Sequence, residues 1–148
     1  MKCHIIASIL LLLTLSNTAM ASQSNEKTSL QQDREQVIKQ YIRDLQQADY
    51  KDISQLFDSN GTVVSTSRGQ INAKEFFYSF LPEITSASTE QHQSFISSDD
   101  SNHYASRFHF KFKLKDGETG EGEYTDEFVF VSDSIKLSAV YMFENLKF

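Results

Sequence analysis

Apolar residues in the first half of the chain recur at the spacing of helices that bury one face. Residues 33–47 carry such a stripe: Val37, Ile38, Tyr41, Ile42 and Leu45. This spacing predicts an amphipathic helix. Asp49 then has the position of an N-cap for a short second helix. The apolar residues of that second helix are Ile53, Leu56 and Phe57.

A turn, a short strand and a third helix are predicted next. Asn60-Gly61 is a strong turn former and is expected to stop the second helix, and residues 62–65 have the composition of a short strand. Asn72 followed by Glu75 resembles a capping arrangement. The helix that it opens has one apolar side: Phe76, Phe77, Phe80, Leu81 and Ile84. Pro82 is expected to kink or end this helix.

From residue 91 onward the pattern changes to the two-residue alternation of strands with one buried face. The clearest stretch has an apolar face made of Tyr104, Phe108, Phe110, Phe112 and Leu114. Its other face is made of Arg107, His109, Lys111 and Lys113. After a turn at residues 115–117, the next strand places Tyr124, Asp126, Phe128 and Phe130 together. After residues 132–134, the last strand has a predicted inner face of Ile135, Leu137, Ala139, Tyr141 and Phe143.

Three helices followed by long antiparallel strands predict an α+β fold, in which the helices pack on one face of a strongly curved antiparallel sheet. Strands of this length must twist and curl. Helices that lie across a curled sheet leave a cone with an open end. Small ligands usually bind in such a mouth.

The amino terminus has the pattern of a secretory signal. Lys2 precedes a nearly unbroken apolar stretch over residues 5–15, and Ala19-Met20-Ala21 gives an A-x-A cleavage pattern. The stretch is shorter than the roughly twenty apolar residues that span a bilayer. We therefore predict a cleavable signal over residues 1–21, a polar linker over 22–32 and one domain over 33–148. The expected location is periplasmic or secreted, with no membrane anchor after cleavage.

Charge and residue spacing exclude several classes of function. The net charge is −6, whereas nucleic acids and anionic membranes are bound by clustered Lys and Arg. Cys3 is the only cysteine and leaves with the signal. His92, His103 and His109 are too far apart for two of them to share a helical turn. The sequence therefore predicts no nucleic-acid partner, no metal site and no cofactor.

Asp126 is the acidic residue that interrupts an apolar strand face. A carboxylate on such a face loses solvation, and it responds by taking up a proton or by finding a donor. Two interpretations stay open. Asp126 is either a neutral acid that donates a hydrogen bond to a ligand carbonyl, or a carboxylate satisfied by Tyr41, Tyr141 or a backbone amide. Tyr41 and Tyr141 are either core residues or ligand contacts.

Residues 34–148 resemble the nuclear transport factor 2-like superfamily, which includes SnoaL-like cyclases and ketosteroid isomerase. The segment from Tyr41 to Tyr50, with Ile53, Leu56 and Phe57, is similar to the opening helices of that superfamily. The other segments that carry the resemblance are Gly61–Val64, Gly69 with Ala73–Phe77, and Asp126–Phe130. The resemblance implies a cone-shaped fold of three helices on a curved sheet.

The resemblance also implies roles for three positions. Tyr41 falls where ketosteroid isomerase has its oxyanion-hole tyrosine, and Asp126 falls where that enzyme keeps a protonated aspartic acid as the second donor. The position of the base aspartate is occupied by Ser65. A serine cannot accept the proton near neutral pH without a partner base, so the isomerase reaction itself is not implied.

Three hypotheses for function follow. The first is an exported domain that binds a small, mainly apolar ligand in its cone. The residues predicted to line that pocket are Tyr41, Phe80, Phe110, Asp126, Phe128, Tyr141 and Phe143. The second is an enzyme of the isomerase, cyclase or dehydratase type, in which Tyr41 and Asp126 polarise a carbonyl. The third is a homodimeric interaction module that pairs through an outer sheet surface of Val129, Val131, Val140 and Met142.

Overall fold

A computed structural model describes the backbone of residues 14–145 and the side chains of residues 29–144. The helices are α1 (Thr14–Gln47), α2 (Tyr50–Gln55) and α3 (Ala73–Phe80), followed by a short 3-10 turn (Leu81–Glu83). The strands are β1 (Phe57–Ser65), β2 (Gly69–Asn72), β3 (Ile84–Ile96), β4 (His103–Leu114), β5 (Thr119–Phe130) and β6 (Leu137–Asn145).

The strands form one curved sheet with the order β2-β1-β6-β5-β4-β3. Neighbouring strands are antiparallel except β1 and β6, which pair in parallel. All three helices contribute to a single apolar core on one face of this sheet. The predicted α+β class, with helices on one side of a curved and mainly antiparallel sheet, is confirmed. The parallel pair was not predicted, because it joins segments about eighty residues apart.

The end of α1 and the start of α2 are fixed by local hydrogen bonds. Ala48 adopts a positive φ of 53°, and the Asp49 amide donates to the Asp44 carbonyl at 2.9 Å. This is the closing geometry of a helix C-terminus, more often occupied by glycine. The Asp49 side chain then accepts from the amides of Lys51 and Asp52. The predicted N-cap at Asp49 is confirmed.

The N-terminal boundary differs from the sequence-based expectation. The helical backbone of α1 begins at Thr14 and continues through residues 22–32, the segment predicted as a linker. Residues 1–13, which hold most of the apolar part of the predicted signal, lie outside the described residues. Within the described part of the chain, no helix is both long enough and apolar enough to cross a membrane. Cleavage after Ala21 stays a prediction.

Arg34 connects α1 to the loops that follow β3 and β5. Its side chain is buried, and Nε donates to the Ser134 carbonyl at 2.8 Å. Nη1 donates to the Ser101 carbonyl and Nη2 to the Val131 carbonyl, each at 2.9 Å. The guanidinium also lies over the ring of Phe130, 4.9 Å from its centroid. One charged side chain thus satisfies three backbone acceptors, which positions the helix on the sheet.

Two predicted boundaries around β1 and α3 are wrong. Asn60-Gly61 lies inside β1, where the pairing with β6 shifts register between Phe57 and Thr62. The pair therefore forms an irregularity within a strand rather than a turn, and neither residue has a positive φ. The Asn72 cap of α3 is confirmed. Ile84, predicted on that helix, instead begins β3, because Pro82 confines the helix end to a 3-10 turn.

The predicted inner face of the last strand is wrong beyond Leu137. Phe130 pairs with Leu137, but the preceding Val129 pairs with Ala139, so Ser138 is the extra residue of a β-bulge. A one-residue bulge exchanges the two faces of everything that follows. Tyr141 and Phe143 are consequently 38% and 55% exposed. The residues that point inward are Val140, which is fully buried, and Met142, so neither belongs to the outer surface predicted for a homodimer.

Candidate functional site

A cavity of about 160 Å³ lies between the helices and the concave face of the sheet. Its apolar lining comes from α1, α3 and the three strands β4, β5 and β6: Leu45, Phe76, Phe80, Phe108, Phe110, Phe112, Tyr124 and Met142. Its polar lining is Ser65, Ser67, Arg68, Asp126 and Glu144. The phenylalanines come from α3 and from the alternating face of β4. Aromatic side chains with a few polar groups are the usual composition of a small-molecule site.

Asp126 is a buried acid at the wall of this cavity, and its side chain is 1% exposed. Its Oδ2 accepts a hydrogen bond of 3.0 Å from the hydroxyl of Tyr41. Its Oδ1 is also buried and has no hydrogen-bond partner among the described residues. A buried polar atom without a partner is costly. The arrangement therefore leaves one carboxyl oxygen beside the cavity without a partner among the described residues.

Burial raises the pKa of Asp126 to about 8, the hydrogen bond from Tyr41 lowers it, and the charge of Glu144 raises it further. The neutral acid therefore predominates at pH 7. Since Oδ2 already accepts from Tyr41, we assign the acid proton to Oδ1. In this form the carboxyl can donate a hydrogen bond into the cavity.

Tyr41 is a rigid donor behind Asp126. Its side chain is fully buried, with its ring edge-to-face on Phe77 and Phe128 at centroid distances of 5.9 and 5.0 Å. Burial and the nearby Asp126 carboxyl raise the pKa of Tyr41 well above its ordinary value. The phenol therefore stays protonated and keeps the carboxyl of Asp126 in one orientation.

No protein-family model and no curated protein match the sequence. Solved structures do match. The epoxide hydrolase/cyclase-like enzyme SalBIII, described with a role in pyran ring formation in the polyether salinomycin, is 16% identical with a TM-score of 0.63 over 78% of this chain and 92% of that chain. An NTF2-like protein of unknown function from Exiguobacterium sp. 255-15 is 17% identical with a TM-score of 0.59 over 74% and 98%.

A ketosteroid isomerase-like protein from Erwinia carotovora atroseptica is 11% identical, with a TM-score of 0.59 over 76% of this chain and 94% of that chain. The chain has the nuclear transport factor 2-like fold. The resemblance found in the sequence is thus confirmed as a shared architecture. At these identities the likeness concerns the fold, and the chemistry has to be argued from the site.

The residues predicted for the pocket of this NTF2-like fold lie in three places. Phe80, Phe110 and Asp126 line the cavity. Tyr41 and Phe128 lie in the packed layer beneath it, where Tyr41 acts through Asp126. Tyr141 and Phe143 point away from it into solvent, which corrects their predicted place in the pocket. The Ser138 bulge is the physical reason, because it reverses the faces of the last strand.

Ser65, at the position of the isomerase base, is largely buried and lines the cavity. Its hydroxyl accepts a hydrogen bond of 3.2 Å from the backbone amide of Arg68. It therefore closes the turn between β1 and β2. A hydroxyl in this role has no neighbouring base to activate it among its described contacts. Ser65 thus shapes the wall of the cavity.

Sequence reasoning missed two charged residues at the cavity, Arg68 and Glu144. Arg68 lies in the turn between β1 and β2, where no periodicity marks a residue as facing inward. Strict alternation from the predicted inner face of the last strand would direct Glu144 outward, and the Ser138 bulge turns it toward the cavity instead. A Ser-x-Ser-Arg-Gly turn after a short strand was the one local signal for the hairpin.

His92, His103 and His109 lie on the side of the sheet opposite the cavity, paired with glutamates. His109 contacts Glu123 at 3.0 Å and Glu121 at 3.3 Å, and His92 contacts Glu123 at 3.4 Å. Among the described residues, no group of three or more His, Cys, Asp or Glu side chains has the arrangement of a metal site. These contacts are cross-strand pairs on the outer sheet surface.

Proposed function

We propose that this protein binds a small, mainly apolar molecule in the cavity, and that Asp126 donates a hydrogen bond to an oxygen of that molecule. The observation that supports this most directly is the buried and unpartnered Oδ1 of Asp126 at the wall of an aromatic cavity. A solvated or fully paired carboxyl would not be available to a ligand.

The size of the cavity limits the ligand. The enclosed volume of about 160 Å³ is close to that of engineered apolar cavities of about 150 Å³ that bind benzene. One ring, or a chain of similar volume, therefore fits the enclosed part. The edges and faces of the surrounding phenylalanines suit an aromatic or unsaturated group.

The proposal is tested with two probes that differ in one acceptor: acetophenone and ethylbenzene. We expect the wild type at pH 6 to bind acetophenone more tightly, by about fivefold, because the ketone accepts from Asp126 and a hydrogen bond to a buried donor contributes roughly 1 kcal/mol. Asp126→Leu should remove this preference and keep ethylbenzene binding. Asp126→Asn retains an N–H donor and should keep the preference.

The pH dependence separates donation by the acid from simple polarity. Wild type should lose its preference for the ketone as the pH rises from 7 to 9, since Asp126, whose pKa is raised to about 8, then ionises and no longer donates. Asp126→Asn should show no such loss. Equal affinity of wild type for both probes at pH 6, or binding of neither, would contradict the proposed function.

A matched pair of phenylalanines checks the location of binding. Phe80 lines the cavity, whereas Phe143 is exposed on the outer surface of the sheet. Phe80→Ala should weaken ethylbenzene binding, because it removes one wall of the site. Phe143→Ala should leave that binding unchanged. The reverse result would place the ligand on the outer surface.

An enzymatic function is the second candidate, and one observation favours it: Glu144 lines the same cavity as Asp126. Glu144 is a carboxylate that could accept a proton while Asp126 polarises a carbonyl. Proton exchange at the α-carbon of a bound ketone, followed by NMR in deuterated water, tests this. Exchange that is catalysed by the wild type and lost in Glu144→Gln supports the enzyme, and no exchange above the buffer rate contradicts it.

Export of the domain is a further proposal and is supported by the sequence of residues 1–21 alone. A mature chain that begins at Ser22, found by intact mass outside the inner membrane, is the expected result. A full-length chain retained inside the cell would contradict it. The homodimer stays a prediction, and its outer surface now carries Tyr141 and Phe143 in place of Val140 and Met142.

A further inference from the structure

Arg68 is held at the cavity by contacts that orient its guanidinium. Its backbone amide donates to the Ser65 hydroxyl, which fixes the turn between β1 and β2. Nη1 donates to the hydroxyl of Ser79 on α3 at 2.7 Å, and the guanidinium lies 5.4 Å from the centroid of the Phe76 ring. An exposed arginine usually samples many rotamers. This one is oriented by two elements that enclose the cavity.

The contacts of Arg68 leave its anion-binding edge available. Ser79 occupies Nη1, and Nε and Nη2 have no hydrogen-bond partner among the described residues. No described carboxylate lies within salt-bridge distance of Arg68, although other basic residues such as Lys111 and Lys115 have glutamate partners. The N–H groups of Nε and Nη2 point in parallel, which matches the two oxygens of a carboxylate.

We propose that the ligand is a carboxylic acid with an apolar body of about one ring, and that Arg68 binds its carboxylate at the cavity mouth. This inference rests on the proposed function and specifies its ligand class. Arg68 is the only cationic side chain that lines the cavity in the described part of the chain. The apolar body occupies the enclosed volume, and the charged end stays at the exposed side where its desolvation is small.

Glu144 is the other charged group at the cavity, and its charge affects how tightly an acid binds. Its negative charge opposes an anionic ligand, so Arg68 has to outweigh it. Removing that charge should therefore tighten the binding of an acid. A cationic ligand is the opposite possibility, because aromatic rings together with the carboxylate of Glu144 could attract an ammonium. We favour the acid because the Phe76 ring is already covered by Arg68.

The test uses three probes that share one body: 3-phenylpropanoic acid, 3-phenylpropanamide and 3-phenylpropylamine. Isothermal titration at pH 7 should show the acid binding to the wild type at least tenfold more tightly than the amide. Arg68→Gln should bring the two affinities together without weakening the amide, and Arg68→Lys should keep part of the difference. Glu144→Gln should tighten the acid severalfold.

Arg107→Gln is the matched control. Arg107 is exposed on the opposite face of the sheet and donates to Gln93, so this change removes the same charge at a distance from the cavity. We expect it to leave the ratio of acid to amide affinity unchanged. If Arg107→Gln lowered the ratio of acid to amide affinity as much as Arg68→Gln does, the protein would attract the acid through its overall charge, and the role of Arg68 would be refuted.

The outcomes separate this inference from the function on which it rests. If the amide binds and the acid binds no better, the carboxylate site is refuted while ligand binding stands. If the amine binds most tightly, the cavity takes a cation and the inference is wrong. If none of the three probes binds although acetophenone does, the ligand class is wrong and ligand binding in the cavity stands; if acetophenone does not bind either, the proposed function fails as well.

Discussion

Replacing Asp126 by Asn should change how the stability of the protein depends on pH. The pKa of Asp126 is raised to about 8 in the folded protein and is about 3.9 in an unfolded chain. The folded state therefore holds a proton that the unfolded state releases. The stability that this proton provides is complete below the unfolded pKa, and it is lost as the pH rises through the folded pKa.

The expected magnitude follows from the two pKa values. Between them, each pH unit removes about 1.4 kcal/mol from the free energy of unfolding. From pH 5 to pH 8, allowing for partial ionisation at both ends, Asp126 should cost the wild type about 3 to 4 kcal/mol. The Asn side chain does not titrate. Between pH 5 and pH 8, the free energy of unfolding of Asp126→Asn should therefore rise relative to that of the wild type by the same amount.

Urea unfolding at pH 5, 6, 7 and 8 measures this difference. Asp44, whose pKa burial raises to about 6, also contributes to the pH profile. Its contribution is the same in both proteins and cancels when the wild type is subtracted from the variant. Asp58→Asn removes one charge from an exposed position and supplies the correction for net charge alone.

Parallel stability profiles for the wild type and Asp126→Asn would refute the reasoning. They would mean that Asp126 is ionised in the folded protein at pH 5, and thus that its carboxyl is solvated or paired more strongly than the contact with Tyr41 provides. Donation by a neutral acid to a ligand would then be untenable near neutral pH, and so would the ketone preference expected at pH 6.

Three further changes test the surrounding structure. Tyr41→Phe removes the donor to Asp126 and should lower the free energy of unfolding by about 1 to 3 kcal/mol. Because the lost hydrogen bond had lowered the pKa of Asp126, stability should go on falling to a higher pH than in the wild type, as measured by urea unfolding. Arg34→Met should lower the free energy of unfolding by about 3 kcal/mol in the same assay, because three backbone carbonyls lose a charged donor. Gly120→Ala would place a Cβ 2.3 Å from the Phe112 ring; we expect a loss of about 1 to 3 kcal/mol and weaker ethylbenzene binding by titration.

The features that could be predicted from the sequence are those that depend on residues within one helix or strand. The apolar stripe of α1 and the alternation of β4 are local periodicities, and the structure buries the residues that they mark, except that Phe112 and Leu114 at the end of β4 are half-buried. The caps at Asp49 and Asn72 depend on amides two and three residues away. Asp126 was identified because its own strand neighbours are aromatic. Each inference needed only a few consecutive residues.

The features that could not be predicted depend on pairing between distant segments. β2 is four residues long and mostly polar or exposed, so it carries no pattern of its own and exists because β1 lies beside it. Arg68 reaches the cavity only because this hairpin forms. The register shift at Asn60-Gly61 is likewise set by the parallel partner β6. A strong local turn signal was overridden by strand pairing.

Ser138 shows how one residue of register decides the chemistry of the site. Its hydroxyl donates to the Val129 carbonyl at 3.0 Å, so the extra residue is held by a bond of its own. Without this bulge, strict alternation would direct Phe143 inward and Glu144 outward. With it, Glu144 lines the cavity and raises the pKa of Asp126. Burial is the main cause of the raised pKa of Asp126, and the bulge twelve residues further along the chain adds the smaller contribution of Glu144.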